Sequence, residues 1–268
     1  MTFSIRELAE IEDLNQLAEL FAVVWGRPGE PPISSDVLKA LAHSGNYVSG
    51  AYLDNKITGG LVGWFGGVPP HELHMHSHIL GVLSGSEAHG LGFELKQHQR
   101  RWCLARDVNV IEWTTDPLVR RNAYFNLTKL CAHASEYLVN VYGEMADGIN
   151  AGEESDRLLI SWRLDTPAAD AAAGGHPPDS RLDELRRDGA VEALSVGDAG
   201  EPVATAASAR VLLCQVPDDI VALRRSDPSL ASSWRMAVRK TFTDALAAGY
   251  EVSGATRSGW YVLETQAD

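Results

Sequence analysis

HMHSHILGVLSGSEAHGLGFELKQHQRRWCLARD, residues 74–107, reads as a strand, a glycine loop and a helix. His74 to Leu83 alternates and is rich in Ile, Leu and Val, which suits a strand. The loop that follows holds Gly85, Gly90 and Gly92. Leu91, Leu95, Trp102 and Ala105 then recur at helical spacing, so the helix begins at the last glycines. A helix start behind a glycine loop attracts phosphate, because its free amides and its dipole both favour negative charge. Alone, the Gly90-Leu91-Gly92 pair fits an ordinary strand-to-helix turn equally well.

Upstream, Thr2 to Leu8 reads as a first strand, and Ile11, Leu14, Leu17, Ala18, Phe21 and Trp25 as a helix with acids in its first turn. Arg27 to Pro32 breaks it, and Ser34 or Ser35 caps a second helix that stops near Gly45. Tyr47 to Leu53 and Ile57 to Phe65 form a hairpin whose second arm is full of glycine, the mark either of a twisted sheet edge or of close approach by another group. Downstream, Val108 to Trp113 is apolar enough for a buried parallel strand. Asp116 is expected to cap a helix with Pro117 at its first position, running through Asn122, Phe125, Leu127 and Leu130. Tyr137 to Tyr142 and Arg157 to Leu164 are two further strands.

This order of elements resembles the GNAT superfamily of acyl-CoA-dependent acyltransferases, and the resemblance covers residues 3 to 165. It rests on Gly90-Leu91-Gly92 after the His strand, on Trp113-Thr114-Thr115-Asp116-Pro117, on Arg121-Asn122-Ala123 and on Asn126-Leu127-Thr128-Lys129-Leu130. It implies an α/β fold with a mixed, mostly antiparallel, splayed sheet flanked by helices. It also implies acyl-CoA as co-substrate, with main-chain groups around Leu80, Val82 and Leu83 holding pantetheine and Glu87, Ala88, His89, Gly90, Leu91 and Gly92 holding the pyrophosphate. Asn122 and Asn126 would bond the pantetheine arm or the acceptor. Glu87 departs from the family, which has Arg or Gln there; amide bonds to a charged phosphate, about 1.5–3 kcal/mol each, outweigh one exposed charge at about 0.2–1 kcal/mol.

His74, His76 and His78 share one strand face. The resemblance places His76 where many relatives carry a general-base Glu, with His74 and His78 lining the cleft; an imidazole with a pKa of about 6.5 suits proton removal from an ammonium. Relatives use a Tyr in the fourth helix as general acid, and Leu127 stands there, so Tyr142 is the expected substitute, ahead of Tyr124 and Tyr137. Three histidines at alternate positions splay too widely to close on one ion, and Cys103, Cys131 and Cys214 have no metal-binding spacing, so no metal is expected.

The net charge of −13 argues against nucleic acid and anionic membranes as partners and leaves a small-molecule substrate. No stretch has signal-peptide or membrane-span character, and separated cysteines suit a reducing cytoplasm. Thr166 to Ser180, rich in Ala, Pro and Gly, reads as a linker between a domain at 1–165 and a small α/β extension at 181–268 that caps the acceptor site or supports a homodimer. In the extension, Arg210 to Val216 is a strand, Trp234 to Leu246 an amphipathic helix, and Tyr250 to Leu263 a closing hairpin. Three functions fit: transfer of an acyl group from CoA to a small amine; CoA-independent hydrolysis or lysis with His76 activating water; or ligand binding without catalysis.

Overall fold

A computed structural model describes residues 3–67, 72–85, 90–143, 154–177 and 182–265. The chain divides into two compact units, Met1–Trp113 with Asp147–Ile149 and Thr114–Ala146 with Asn150–Asp268.

In the first unit, β1 (Ser4–Glu7), β2 (Tyr47–Leu53), β3 (Lys56–Gly66) and β4 (His74–Val82) pair antiparallel in that order, and β5 (Val110–Thr115) lies parallel beside β4. The result is the mixed, mostly antiparallel sheet flanked by helices that the resemblance implied. The β2–β3 turn is tight because Asp54 and Asn55 both adopt left-handed backbone, φ 48° and 62°, as the primed hairpin turns require. On one face α1 (Ile11–Val24) and α2 (Ser35–His43) bury Leu14, Leu17, Phe21 and Leu38 against Val48, Val62 and Ile79. On the other, α3 (Leu91–Leu104) buries Leu91, Leu95, Trp102 and Cys103.

The glycines of β3 are explained by close packing inside the sheet, since β3 lies between β2 and β4 rather than at an edge. A Cβ on Gly60 would sit 2.1 Å from Leu17 Cδ1 of α1, and one on Gly59 3.1 Å from Leu91 Cδ2 of α3. Helices therefore press on both faces of one strand, and only glycine leaves them room.

The second unit has strand order β7 (Arg157–Arg163), β6 (His133–Leu138), β11 (Tyr250–Ala255), β12 (Trp260–Thr265), β10 (Val211–Gln215), β8 (Val191–Val196) and β9 (Pro202–Ala204). The strands from both sides of the expected linker thus join one sheet through the pairing of Ala134 with Val252. Within that linker, Thr166 accepts a hydrogen bond from Ala169 N–H, and α5 (Pro167–Ala173) follows with Ala169 and Ala172 buried. The cap, a proline at the first turn and small residues that fit a close surface make a short helix where composition alone suggested loose chain. The long α8 (Pro228–Ala247) buries Trp234, Val238 and Phe242 and ends before Gly249, whose φ is +85°.

Asp116 does more than cap. Its carboxylate accepts from Leu118 N–H at 3.0 Å, from Arg235 through two bonds of 2.9 Å and from Arg224 at 2.7 Å. The two guanidiniums hold the Asp116 carboxyl down at about 2 despite its burial. The helix expected from Pro117 starts later, as α4 (Arg120–Ala123), and widens into a π-helical turn at Tyr124–Lys129.

Among the described residues, no helix is long and apolar enough to cross a membrane.

Candidate functional site

The feature that organises the first unit is a fork. β4 pairs with β5 only through Met75–Ile111 and His76–Glu112, so from Ser77 onward β4 leaves its neighbour while staying hydrogen-bonded to β3 on the other side. On the side away from β3, the main-chain groups of Ser77 to Val82 thus have no strand partner among the described residues, and polar backbone in such a place calls for one.

A second irregularity sits at the same place. β3 pairs Val62 with Ile79 but Gly63 with Ser77, so His78 has no partner of its own and forms a bulge. The bulge resets the alternation: Trp64–His76 and Val62–Ile79 are both pairs on the face covered by α1 and α2. His78 turns to the same face, its ring 4.5 Å from Trp64, while His76 lies 5.0 Å from Trp64 and 5.8 Å from the His78 ring. His74 pairs instead with Glu112 at 3.5 Å.

A cleft of about 740 Å³ opens here, walled by Pro32, Ile33, Val37, Leu41, Trp64 and His78. His78 lines it and is exposed; His76, the residue singled out in the sequence as the base, is half-buried and does not. Burial and the neighbouring His78, His74 and Lys96 push His76 down to about 4, and loss of water lowers His78 as well. Both rings are therefore neutral at pH 7, and their free nitrogens can accept protons.

The far end of β4 leads to the start of α3. Gly90 adopts the left-handed conformation, φ 84°, and its carbonyl receives the first helical bonds from Phe93 and Glu94. The amides of Leu91 and Gly92 belong to the set that every helix start leaves free. The Leu91 side chain is buried in the core, and a Cβ on Gly92 would meet only Leu80 Cδ2, at 3.7 Å. Leu80 and Val82 lie opposite Leu61 and Gly59 on β3, and Leu83 N–H donates to Thr58 O. Glu87, Ala88 and His89 lie outside the described residues.

Tyr142, Asn122 and Asn126 belong to the second unit. Tyr142 is on a turn after β6 rather than on the strand expected for it; its hydroxyl is 2.9 Å from Thr114 Oγ1 and its ring is exposed. Asn126 is buried in the π-helical turn, where its carbonyl accepts from Ala132 N–H. Tyr137 donates its hydroxyl to Asp156 at 2.8 Å, and burial beside that carboxylate pushes its pKa far up.

Sequence reasoning missed Lys96. It lies on α3, is buried, and donates to Ser77 Oγ at 2.8 Å with its ammonium 3.6 Å from the centre of the Trp113 ring. Among the described residues, no three His, Cys, Asp or Glu side chains stand together in a way that could hold a metal ion.

No family model and no curated relative matches the chain. Among solved structures it is similar to an N-acetyltransferase from Staphylococcus aureus Mu50, with 15% identity, 62% of this chain and 100% of that one covered, and a TM-score of 0.49. It is also similar to Chaetomium thermophilum Naa20 in complex with a bisubstrate analogue, with 17% identity, 60% and 86% covered, and a TM-score of 0.48. A third is an acetyltransferase of the GNAT family from Streptococcus pneumoniae, with 16% identity, 60% and 99% covered, and a TM-score of 0.47.

Proposed function

We propose that the chain is an acyl-CoA-dependent N-acyltransferase that acts on a small-molecule amine by direct attack on the thioester. The observation that carries this reading is the fork after His76, beside the bulge at His78. A pantetheine arm carries amide groups at strand-like spacing, so it completes the vacated edge of β4 from Ser77 to Val82. Leu80, Val82 and Leu83 serve through their main chain. The pyrophosphate meets the free amides at Gly90 to Gly92, each such bond to a charged group contributing about 1.5–3 kcal/mol. The bulge brings the thioester carbonyl beside the cleft, where the amine waits. As nitrogen attacks, its proton passes to a neutral imidazole. His78 faces the cleft and takes that role, with the His76 ring beside it at 5.8 Å. The C–N bond forms, the C–S bond breaks, and CoA leaves as a thiol.

The test is a calorimetric titration with acetyl-CoA and succinyl-CoA. Saturable binding is expected, weakened about tenfold in Gly92→Asp. That carboxylate has room beside Leu80 and suits a helix start, yet it repels phosphate. Failure of both ligands to bind at millimolar concentration removes the transferase reading.

A further inference from the structure

Among the described residues, Lys96 is a buried cation without an acidic partner. Its ammonium makes one hydrogen bond, to Ser77 Oγ, and lies against the face of Trp113. The direction of the first bond is fixed, because the Ser77 hydroxyl donates its own proton to Gln99 Oε1 at 2.9 Å, and the lysine has only donors to offer. Gln99 is buried too, and its Nε2 finds no hydrogen-bond partner. Burying a charge without a counter-ion is costly, and an unbonded buried amide adds to the cost. Structure alone gives no return for it: a leucine or methionine at position 96 would fill the same space.

The location explains the choice. Ser77 and Trp113 are the first residues on β4 and β5 past the last paired couple, His76 and Glu112. Lys96 touches both, so its ammonium stands at the base of the fork on the α3 side, whereas His76 and Trp64 occupy the α1 and α2 side. An acyl donor lying in the fork would have its reacting end near this point, with imidazole on one face of the sheet and ammonium on the other.

Building on the acyltransferase reading, we infer that Lys96 is the general acid that protonates the departing thiolate, the task for which relatives use a tyrosine and for which Leu127 is unfit. As the C–S bond breaks, its electron pair stays on sulfur, which takes one proton from Lys96 Nζ. The amine proton goes to His78, and exchange with solvent then restores both groups. The lysine is suited to release a proton: desolvation brings it down to about 7, with the nearby Cys103 acting weakly the other way. The other titrating groups near it fall elsewhere. His76 is at about 4, Cys103 is pushed up to about 12, and the buried Tyr47, which hydrogen-bonds His98, is pushed far up, with His98 itself lowered.

The experiment compares wild type, Lys96→Met and Lys96→Arg by thiol release from acetyl-CoA between pH 5 and 9, with acetyl-CoA affinity measured in parallel. Methionine keeps the volume without the desolvated charge; arginine keeps the charge but holds its proton too tightly to give it up. Lys96→Arg is expected to bind acetyl-CoA within threefold of wild type and Lys96→Met more weakly, and both are expected to lose about 10²–10³ in kcat and to lose the fall in kcat/KM that wild type shows above pH about 7. A methionine variant with wild-type kcat or with that alkaline fall intact overturns the inference while leaving the transferase reading in place. If wild type itself fails to bind acetyl-CoA, both fall. Should neither variant fold, the wild-type profile decides alone: a kcat/KM for acetyl-CoA that stays level from pH 6 to 8.5 rules out an acid at this position.

Discussion

Changing His78 and His76 separately to alanine tests which imidazole receives the amine proton. An amine acceptor resembles a lysine side chain, with an unperturbed pKa near 10.4, so any imidazole accepts its proton uphill. His76 is the worse recipient: burial and the neighbouring His78, His74 and Lys96 hold it down at about 4, below the usual 6.5 of an imidazole. At about 1.36 kcal/mol per pKa unit this is at most about 3 kcal/mol, and solvent screening at a half-buried ring reduces it. His78 lines the cleft and is open to it. His78→Ala should therefore lower kcat/KM by about 10²–10⁴, the usual span for a lost general base, and His76→Ala by less than about tenfold. Among the described residues neither ring has a hydrogen bond, so melting temperatures should move little. The assay is thiol release against pH for wild type and both variants. A base must be unprotonated, and both rings are pushed below 6.5, so the acid limb of kcat/KM should lie below that value. An acid limb at or above 6.5 would refute the desolvation of the cleft. A larger loss in His76→Ala than in His78→Ala would refute the assignment drawn from cleft geometry.

Two predictions concern the scaffold. Asp116→Ala leaves the buried guanidiniums of Arg224 and Arg235 without their shared carboxylate and should cost about 3–5 kcal/mol in denaturant unfolding; because the folded pKa is depressed to about 2, the contribution of this group is present above about 3.8 and lost as pH falls through 2. A variant that unfolds at the wild-type midpoint would show that the cluster is not what holds Pro117 and the arginine helices together. Gly60→Ala sets a methyl 2.1 Å from Leu17 Cδ1 and should destabilise by about 1–3 kcal/mol through overpacking, whereas Gly45→Ala, with nothing nearby but a φ of +78°, should cost only the backbone strain. Equal thermal shifts in the two would contradict helix packing as the reason for glycine in β3.

Where a pattern was local, it was legible in the sequence. His74 to Leu83 and Leu91 to Ala105 became β4 and α3 nearly residue for residue, since period-two alternation and a glycine-led helix start depend on neighbours a few positions away. The bulge at His78 was hidden, because it is a property of the β3–β4 register and not of either strand. The shared face of the three histidines was therefore expected for too simple a reason. Lys96 was hidden as well: one residue past Leu95 it sits on the flank of the apolar stripe, and only Ser77 and Trp113, 19 positions back and 17 on, reveal that it is inside. Asp116 read as a cap because its capping bond is local, while its strongest partners lie 108 and 119 residues away. Tyr142 was expected on a strand beside the cleft, whereas β6 ends at Leu138 and the chain turns there, a break that no local pattern announces.

The two titrating groups at the fork make sense only together. A base works unprotonated and an acid protonated, so a site that uses both needs the pKa of its base below that of its acid. Here the same physical cause, desolvation, lowers both kinds of group: it drives the imidazoles of His76 and His78 below 6.5 and brings the Lys96 ammonium from 10.5 to about 7. The order is kept, with the neutral imidazole and the charged lysine coexisting up to about pH 7. Binding of an anionic pyrophosphate ester would stabilise the lysine cation and widen that interval upward, while leaving the histidines neutral. The acid thus becomes competent at neutral pH mainly when the acyl donor is bound, and the buried lysine gains the counter-charge that the described residues around it do not supply. On this argument the alkaline limb of kcat should lie at higher pH than that of kcat/KM, because only the first reports the complex. Coincident limbs would mean that the ligand phosphates do not reach Lys96 electrostatically.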